Sequence, residues 1–398
     1  MRLLRNYKKS IKLELLTSLF LIIATIAALI IYNGPYKSYY NYFLHNVYLV
    51  NNFSIHSFIN DFLMAIFFLV AGLEIKHEIL YGNLSSLKKA SFPVIASIGG
   101  VIFPAIIFIA FNFDTPFVDG FCIPISTDIA FAVGIFLIFS KRFNPALKIF
   151  LLSLAVVDDL VSIFAIGVIY SLNIKVIYLF IAVCILITLY IANKVFKIKS
   201  IIYYLLSGLC LWYFVHLSGV HSTISGILLA LVIPSQNTKD SCLERLQHVL
   251  IPINSLFIIP LFAFANTGIS VVYNLDMSNV NTLCYGIILG LCVGKPLGIM
   301  FFSYFSTKLG ITEKPSNISW KGIFFVSLIA GIGFTMSIFV SEIAFSDNLA
   351  LVNVAKMSIL ISALISIIVS FTSISLYILF KKYTTKHATS LVNKYYIS

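Results

Sequence analysis

Charge is what this sequence lacks. Only 11% of its 398 residues are Asp, Glu, Lys or Arg, whereas soluble domains carry about 25%. Acidic side chains are the scarcer kind, 15 against 27 basic ones. So little charge excludes an ordinary water-soluble globular protein. The six cysteines (Cys122, Cys184, Cys210, Cys242, Cys284 and Cys292) form no C-x-x-C pair, so neither a disulfide framework nor a zinc site is indicated, and they read as small apolar fillers. Low-complexity segments are missing, and the longest polar stretches, 33–57, 235–247 and 306–320, are too short for a soluble domain.

What fills the chain is apolar sequence, 60% hydrophobic with a mean hydropathy of +1.01. A hydrocarbon core about 30 Å thick takes about 20 helical residues to cross. Period-2 alternation is absent, so helices are expected over a barrel. The expected helices are 13–32, 58–80, 91–112, 121–139, 147–170, 175–193, 200–217, 220–234, 248–272, 281–305, 321–345 and 352–380. The first follows Arg2, Arg5, Lys8, Lys9 and Lys12 as a secretory signal would. Its apolar run exceeds the roughly 7–15 residues of a signal core, so it is expected to stay as a helix. The fold class is therefore an all-α polytopic membrane protein of about twelve transmembrane helices in one domain, 1–398.

Basic residues orient it. With both termini (1–12 and 381–398) in the cytoplasm, 23 of the 27 Lys and Arg residues fall on the inner side and 33–57 becomes an outer loop. This topology accounts for the net charge of +12, so the expected partner is the lipid bilayer and not nucleic acid.

Asp128, Asp158, Asp159 and Lys295 lie well inside apolar runs. A charge at the bilayer centre costs about 2.5–3.5 kcal/mol on insertion scales, so four of them demand a reason. Asp158 and Asp159, in Ala155-Val-Val-Asp158-Asp159, point about 100° apart on a helix, so both can flank one cavity. Adjacent carboxylates resist simultaneous ionisation, and such a pair can hold protons or a hard monovalent cation in competition. The structural alternative is a pair neutralised by Lys295, whose ammonium needs a carboxylate partner. Pro296 and the flanking glycines bend that helix at its charge. Two further runs, Ile123-Pro124-Ile-Ser126-Thr127-Asp128 and Ala330-Gly331-Ile-Gly333-Phe334-Thr335-Met-Ser337, set a Pro or Gly break beside a threonine in mid-span. Unwinding there exposes charged helix ends, which Asp128 and Lys295 can compensate. As a plainer alternative, Gly-x-Gly is a helix-packing surface.

These runs, together with Phe68-Leu-Val-Ala-Gly-Leu-Glu74-Ile-Lys-His-Glu78, Phe92-Pro-Val-Ile-Ala-Ser-Ile-Gly-Gly100, Ser218-Gly-Val-His221, Pro260-Leu-Phe-Ala-Phe-Ala-Asn266 and Gly294-Lys295-Pro296-Leu-Gly298, resemble the NhaA sodium/proton antiporters of bacterial inner membranes, from about residue 10 to 380 in order and spacing. The resemblance implies inverted repeats with the fourth and eleventh helices discontinuous and crossing near mid-membrane, an architecture for which this family is itself a reference example. It implies electrogenic, pH-regulated exchange of entering protons for outgoing Na⁺ or Li⁺ by alternating access, with no cofactor and no enzymatic activity. Asp159 matches the family's cation ligand and Asp158 the residue paired with the lysine, here Lys295. Asp128, Thr127 and Thr335 line the crossing. As an extra oxygen donor Thr127 suits a hard cation.

The pH-regulatory candidates by resemblance are Glu74, His77, Glu78, Gln247, His248 and His221. Here the sequence departs from the family pattern. In Glu74-Ile-Lys76-His77-Glu78 a histidine replaces an arginine, and in Arg245-Leu-Gln247-His248-Val-Leu-Ile251-Pro252 Gln247 and Ile251 replace a glutamate and a histidine. An altered pH profile is expected, with His77 bringing an imidazole, the side-chain type used as a switch around neutral pH. The outer segment 33–57, rich in Tyr, is the family's dimerising β-hairpin, so a homodimer is expected; interfacial aromatics are the alternative. Among other classes, a channel repeats a filter across subunits, and an intramembrane aspartyl protease needs a Gly-x-Gly-Asp that does not occur. A cation-coupled symporter of a small organic anion is the nearest alternative, but it needs a cationic clamp that Lys295 is not free to supply.

Overall fold

The computed structural model describes residues 2–50, 53–82, 84–140, 143–171, 174–235, 241–270 and 281–396. Residues 51–52 of the outer loop, basic residues Lys141 and Arg142, residues 236–240 of the 235–247 stretch and 397–398 of the tail lie outside the described residues.

The helices in chain order are α1 (Arg2–Asn33), α2 (Met64–Leu80), α3 (Leu87–Asn112), α4 (Ile129–Ile138), α5 (Pro145–Ile169), α6 (Val176–Lys194), α7 (Ile201–Ser218), α8 (Ile224–Val232), α9 (Cys242–Ile253), α10 (Ile259–Asn266), α11 (Asn281–Leu289), α12 (Lys295–Lys308), α13 (Trp320–Ala330), α14 (Phe334–Ala344) and α15 (Leu349–Tyr396). Their starts follow from side chains that satisfy the first amides. Asn144 accepts from Ala146 N at 2.9 Å ahead of Pro145, whose missing N–H costs nothing at that position. Ser241 and Ser319 cap α9 and α13 in the same way. At the other end of α7, Gly219 takes φ +83°, the left-handed conformation that suits glycine.

Among the described residues ten helical segments are long and apolar enough to cross a membrane, or eleven if α13 and α14, bent by 45° at their break, count as one. Several are compound. A π-turn, Phe58–Leu63, leads into α2; another, Asn254–Ile258, joins α9 to α10 after Pro252; a third, Gly290–Gly294, joins α11 to α12. The expected helix at 220–234 is shorter than it reads. Only the nine residues of α8 are helical, about 14 Å at 1.5 Å per residue, less than half a bilayer core. In the outer segment only Tyr48–Val50 and Phe53–Ser54 pair as antiparallel strands. The stretch before them coils into a short helix, Lys37–Asn41, and a π-turn, Tyr42–Asn46, because one face of the segment is drawn inward: Tyr40 is buried and its ring meets Phe264 at 5.4 Å.

Lipid-facing helix packing gains little from the hydrophobic effect, so close backbone approach at small residues carries it. The most extensive contact, between α3 and α12, runs over Gly99 and Gly298. A Cβ at either would lie 2.2 or 2.0 Å from the other's carbonyl oxygen. Between α2 and α8, Gly226 sits against Ala65 O in the same fashion. Lys76 then donates to Ala230 O, Leu231 O and Ile233 O at the end of α8, a cation at the negative end of a helix. These contacts fix the helices that present the mid-membrane charges.

Candidate ion-binding site

The chain leaves helical conformation at two places that meet. After a 3₁₀ segment, Val118–Ile125, residues Ser126 and Asp128 are extended before α4 begins. Between α13 and α14 the helix is interrupted at Gly331–Gly333, where its axis turns by 45°. Backbone groups freed inside a membrane must find partners within the protein, and each break supplies them to the other. Asp128 N donates to Ile332 O at 2.8 Å, Thr127 Oγ1 to Ala330 O at 3.0 Å, and Ser337 Oγ to Ile123 O at 2.7 Å.

Asp128 accepts Phe131 N at 2.9 Å, Thr335 N at 3.0 Å and Thr335 Oγ1 at 2.5 Å. Its carboxylate therefore caps the positive ends of α4 and α14 together. Lys295 donates to Ile125 O, the carbonyl end of the 3₁₀ segment.

On α5 the two adjacent carboxylates have different surroundings. Asp158, 0% exposed, accepts Lys295 Nζ at 2.9 Å, Thr127 Oγ1 at 3.0 Å and the Ser97 hydroxyl. It is sealed in an ion pair whose every charge-bearing group is hydrogen-bonded, the condition under which a buried pair is tolerated. Asp159 is 1% exposed, and its Oδ1 has no partner among the described residues. It lines a cavity of about 250 Å³ together with Asp128, Thr335, Glu74, Glu14 and Asn254. The pair is thus one neutralised carboxylate and one with spare acceptor capacity, side by side.

The fold gathers Asp158, Asp159, Asp128, Thr127, Thr335 and Lys295 at the crossing, and brings Glu74 to the same cavity. His77 stacks edge-on to Tyr81 at 5.6 Å; with Glu78 it lies in the last turn of α2, while Gln247 and His248 stand on α9. None of these four lines the cavity. His221 lies elsewhere, bonded to Thr223 at 2.8 Å and packed on Phe339. It borders a second cavity of about 650 Å³ that also holds His56, Asn60, Asp61, Asp119 and Glu342. Glu342 is ion-paired there with Lys356. His56 lies against His45, 4.6 Å between tilted rings, and burial, opposed by Glu342, pushes the His45 imidazole below its usual range. Helix α14 stands between the cavities: Thr335 and Met336 line the first, and Phe339, one turn on, the second.

A family model described as Na⁺/H⁺ antiporter 1 matches residues 8–374. The chain belongs to this family. It is 42% identical to the Na⁺/H⁺ antiporter NhaA of Helicobacter pylori strain G27 over 427 aligned residues, covering 95% of this chain and 97% of the relative. To NhaA 2 of Aliarcobacter butzleri it is 43% identical over 383 residues, 91% and 94% of the two chains. To NhaA 1 of Clostridium beijerinckii it is 41% identical over 366 residues, 89% and 91%. Members of this antiporter family are transporters, and with its ten membrane-length segments the chain is a multi-pass membrane protein.

Sequence reasoning missed four residues. Ser97 carries no signal, since serine is tolerated in any apolar helix. Glu14 is hidden beside the N-terminal lysines but pairs with Lys148 at 2.7 Å, at the rim of the Asp159 cavity. Glu342 sits opposite Lys356, which the sequence shows only as a cation at a helix edge. Asn254 had a readable signal, a polar residue two positions after Pro252 in an apolar run.

Proposed function

We propose that the chain is an inner-membrane antiporter that expels Na⁺ or Li⁺ in exchange for entering protons, electrogenically, with both termini cytoplasmic. Asp159 is the group for which proton and cation compete, and Asp158, held by Lys295, is its partner carrier. The observation that carries this reading is the asymmetry of the pair: a buried carboxylate with an unused acceptor on a cavity wall, beside one fully engaged by a lysine. A carboxylate with that freedom binds a hard monovalent cation or a proton, and the two exclude each other. The two cavities on either side of α14 support alternating access, with the crossing of the breaks as the fixed point. An organic-anion symporter finds no support, because Lys295, the one cation at the crossing among the described residues, is committed to Asp158 and Ile125 O.

The test is an everted-vesicle assay in which respiration sets an acid interior. Sodium or lithium added outside should dissipate the gradient, and choline should not. Dissipation that requires an organic anion instead would favour the symporter.

Regulation by pH is placed at the cytoplasmic end of α2, where His77 stands in place of the family's arginine. His77→Arg, which restores the residue of the family pattern, should move the pH of half-maximal activity by at least about half a unit, since a guanidinium is charged at every working pH. An unchanged half-activation pH would remove His77 from the regulatory set. A homodimer through 33–57 completes the reading, with the Tyr48–Val50 and Phe53–Ser54 pair as the element offered to a second copy.

A further inference from the structure

One polar group on the cavity that Asp159 lines has no role in the network above. Six buried side-chain polar atoms among the described residues have no partner in the protein. Two of them, Asp159 Oδ1 and Asn254 Oδ1, belong to residues lining the same cavity. Both are acceptors. Asn254 is only 6% exposed, and a buried acceptor without a partner costs about 1–3 kcal/mol unless something in the cavity uses it.

The local backbone brings it there. Pro252 removes a helix donor within α9, and the chain opens into the π-turn Asn254–Ile258 before α10 resumes. Single π-turns of this kind are frequent at functional sites, where they re-aim one side chain. The turn buries Asn254 and Ile258, carrying an uncharged polar group into a wall that is otherwise apolar, acidic or hydroxyl-bearing.

An amide carbonyl and a carboxylate are the oxygen donors a hard cation accepts. A proton bound on Asp159 has no need of the amide. We infer that Asn254 is a cation-binding residue whose side-chain oxygen, together with Asp159, replaces part of the hydration shell of a monovalent cation in this cavity. The inference rests on the proposed exchange at Asp159 and adds a ligand specific to the cation.

The experiment measures the apparent KM for Na⁺ and for Li⁺ in everted vesicles at one alkaline pH, where protons compete least. Asn254→Leu should raise KM at least about tenfold, equivalent to roughly 1.4 kcal/mol, with the maximal rate within about twofold. Asn254→Asp, which keeps an oxygen at the same reach, should hold KM or lower it. Asn254→Ala removes the amide without added bulk and carries the same expectation as leucine, should the leucine variant not reach the membrane. Unchanged KM for both ions in Asn254→Leu or Asn254→Ala overturns the inference, as does an equal fall in maximal rate with KM constant, which would make the amide a structural water-holding group. Asp159→Asn in parallel separates the two levels. If it exchanges normally, the proposed function fails; if it is inactive while the Asn254 variants keep their KM, only the inference fails.

Discussion

Replacing Asp159 by Asn is expected to abolish sodium-induced proton release, a fall of more than about 100-fold, while leaving the protein as stable as before or slightly more so. The amide has nearly the same shape, but it neither carries an exchangeable charge nor attracts a cation as a carboxylate does. A loss of about 2.7 kcal/mol in ion affinity already gives a hundredfold. Stability should not suffer because Asp159 has no ion-pair partner among the described residues, and a buried carboxylate oxygen without a partner is a cost to the fold. Exchange assays and thermal midpoints in detergent read the two effects separately. A variant that exchanges normally would make the pair structural, and one that fails to fold would give Asp159 a packing role that its surroundings do not suggest.

Lys295→Met should do the reverse, with its largest effect on stability. The ammonium is 0% exposed and bonded to Asp158 and to Ile125 O. Without it Asp158 keeps only the hydroxyls of Thr127 and Ser97, and breaking a buried pair from one side costs about 3–5 kcal/mol. The thermal midpoint should fall by several degrees. Adding Asp158→Asn should recover most of the loss, because removing both charges leaves no uncompensated ion. A single variant as stable as the unmodified protein, or a double variant no better than the single, would mean that the lysine does not chiefly neutralise Asp158.

Much of this site was legible in the sequence because a membrane makes charge conspicuous. Asp128, Asp158, Asp159 and Lys295 stand out in apolar runs for the same reason that they are costly there, and the Pro and Gly beside Thr127 and Thr335 mark where helices break. What linear hydropathy does not encode is partnership across the fold. It left open which carboxylate Lys295 takes; the structure gives it Asp158, with Ser97 from α3 and Thr127 as further donors, and leaves Asp159 to the cavity. Glu14 and Lys148 read as ordinary residues at the ends of apolar runs until the fold brings the two side chains together. The length of α8 was overestimated because the apolar run that follows was extended back over His221-Ser222-Thr223, which turns before the helix starts. In the outer segment the aromatic and β-branched residues favour strand, and Tyr48–Val50 does pair with Phe53–Ser54; what the sequence does not encode is the burial of Tyr40 against Phe264, in the helical stretch before the strands.

The difference in surroundings between Asp158 and Asp159 has meaning only if protons and cations compete for the freer carboxylate. The most direct test is the apparent KM for Na⁺ measured in everted vesicles at successive pH values across the active range. Competition at Asp159 predicts a KM that rises as pH falls, by up to about tenfold per unit, with the maximal rate at saturating sodium held constant. A KM independent of pH, with only the maximal rate changing, would contradict it and place proton and cation on separate groups.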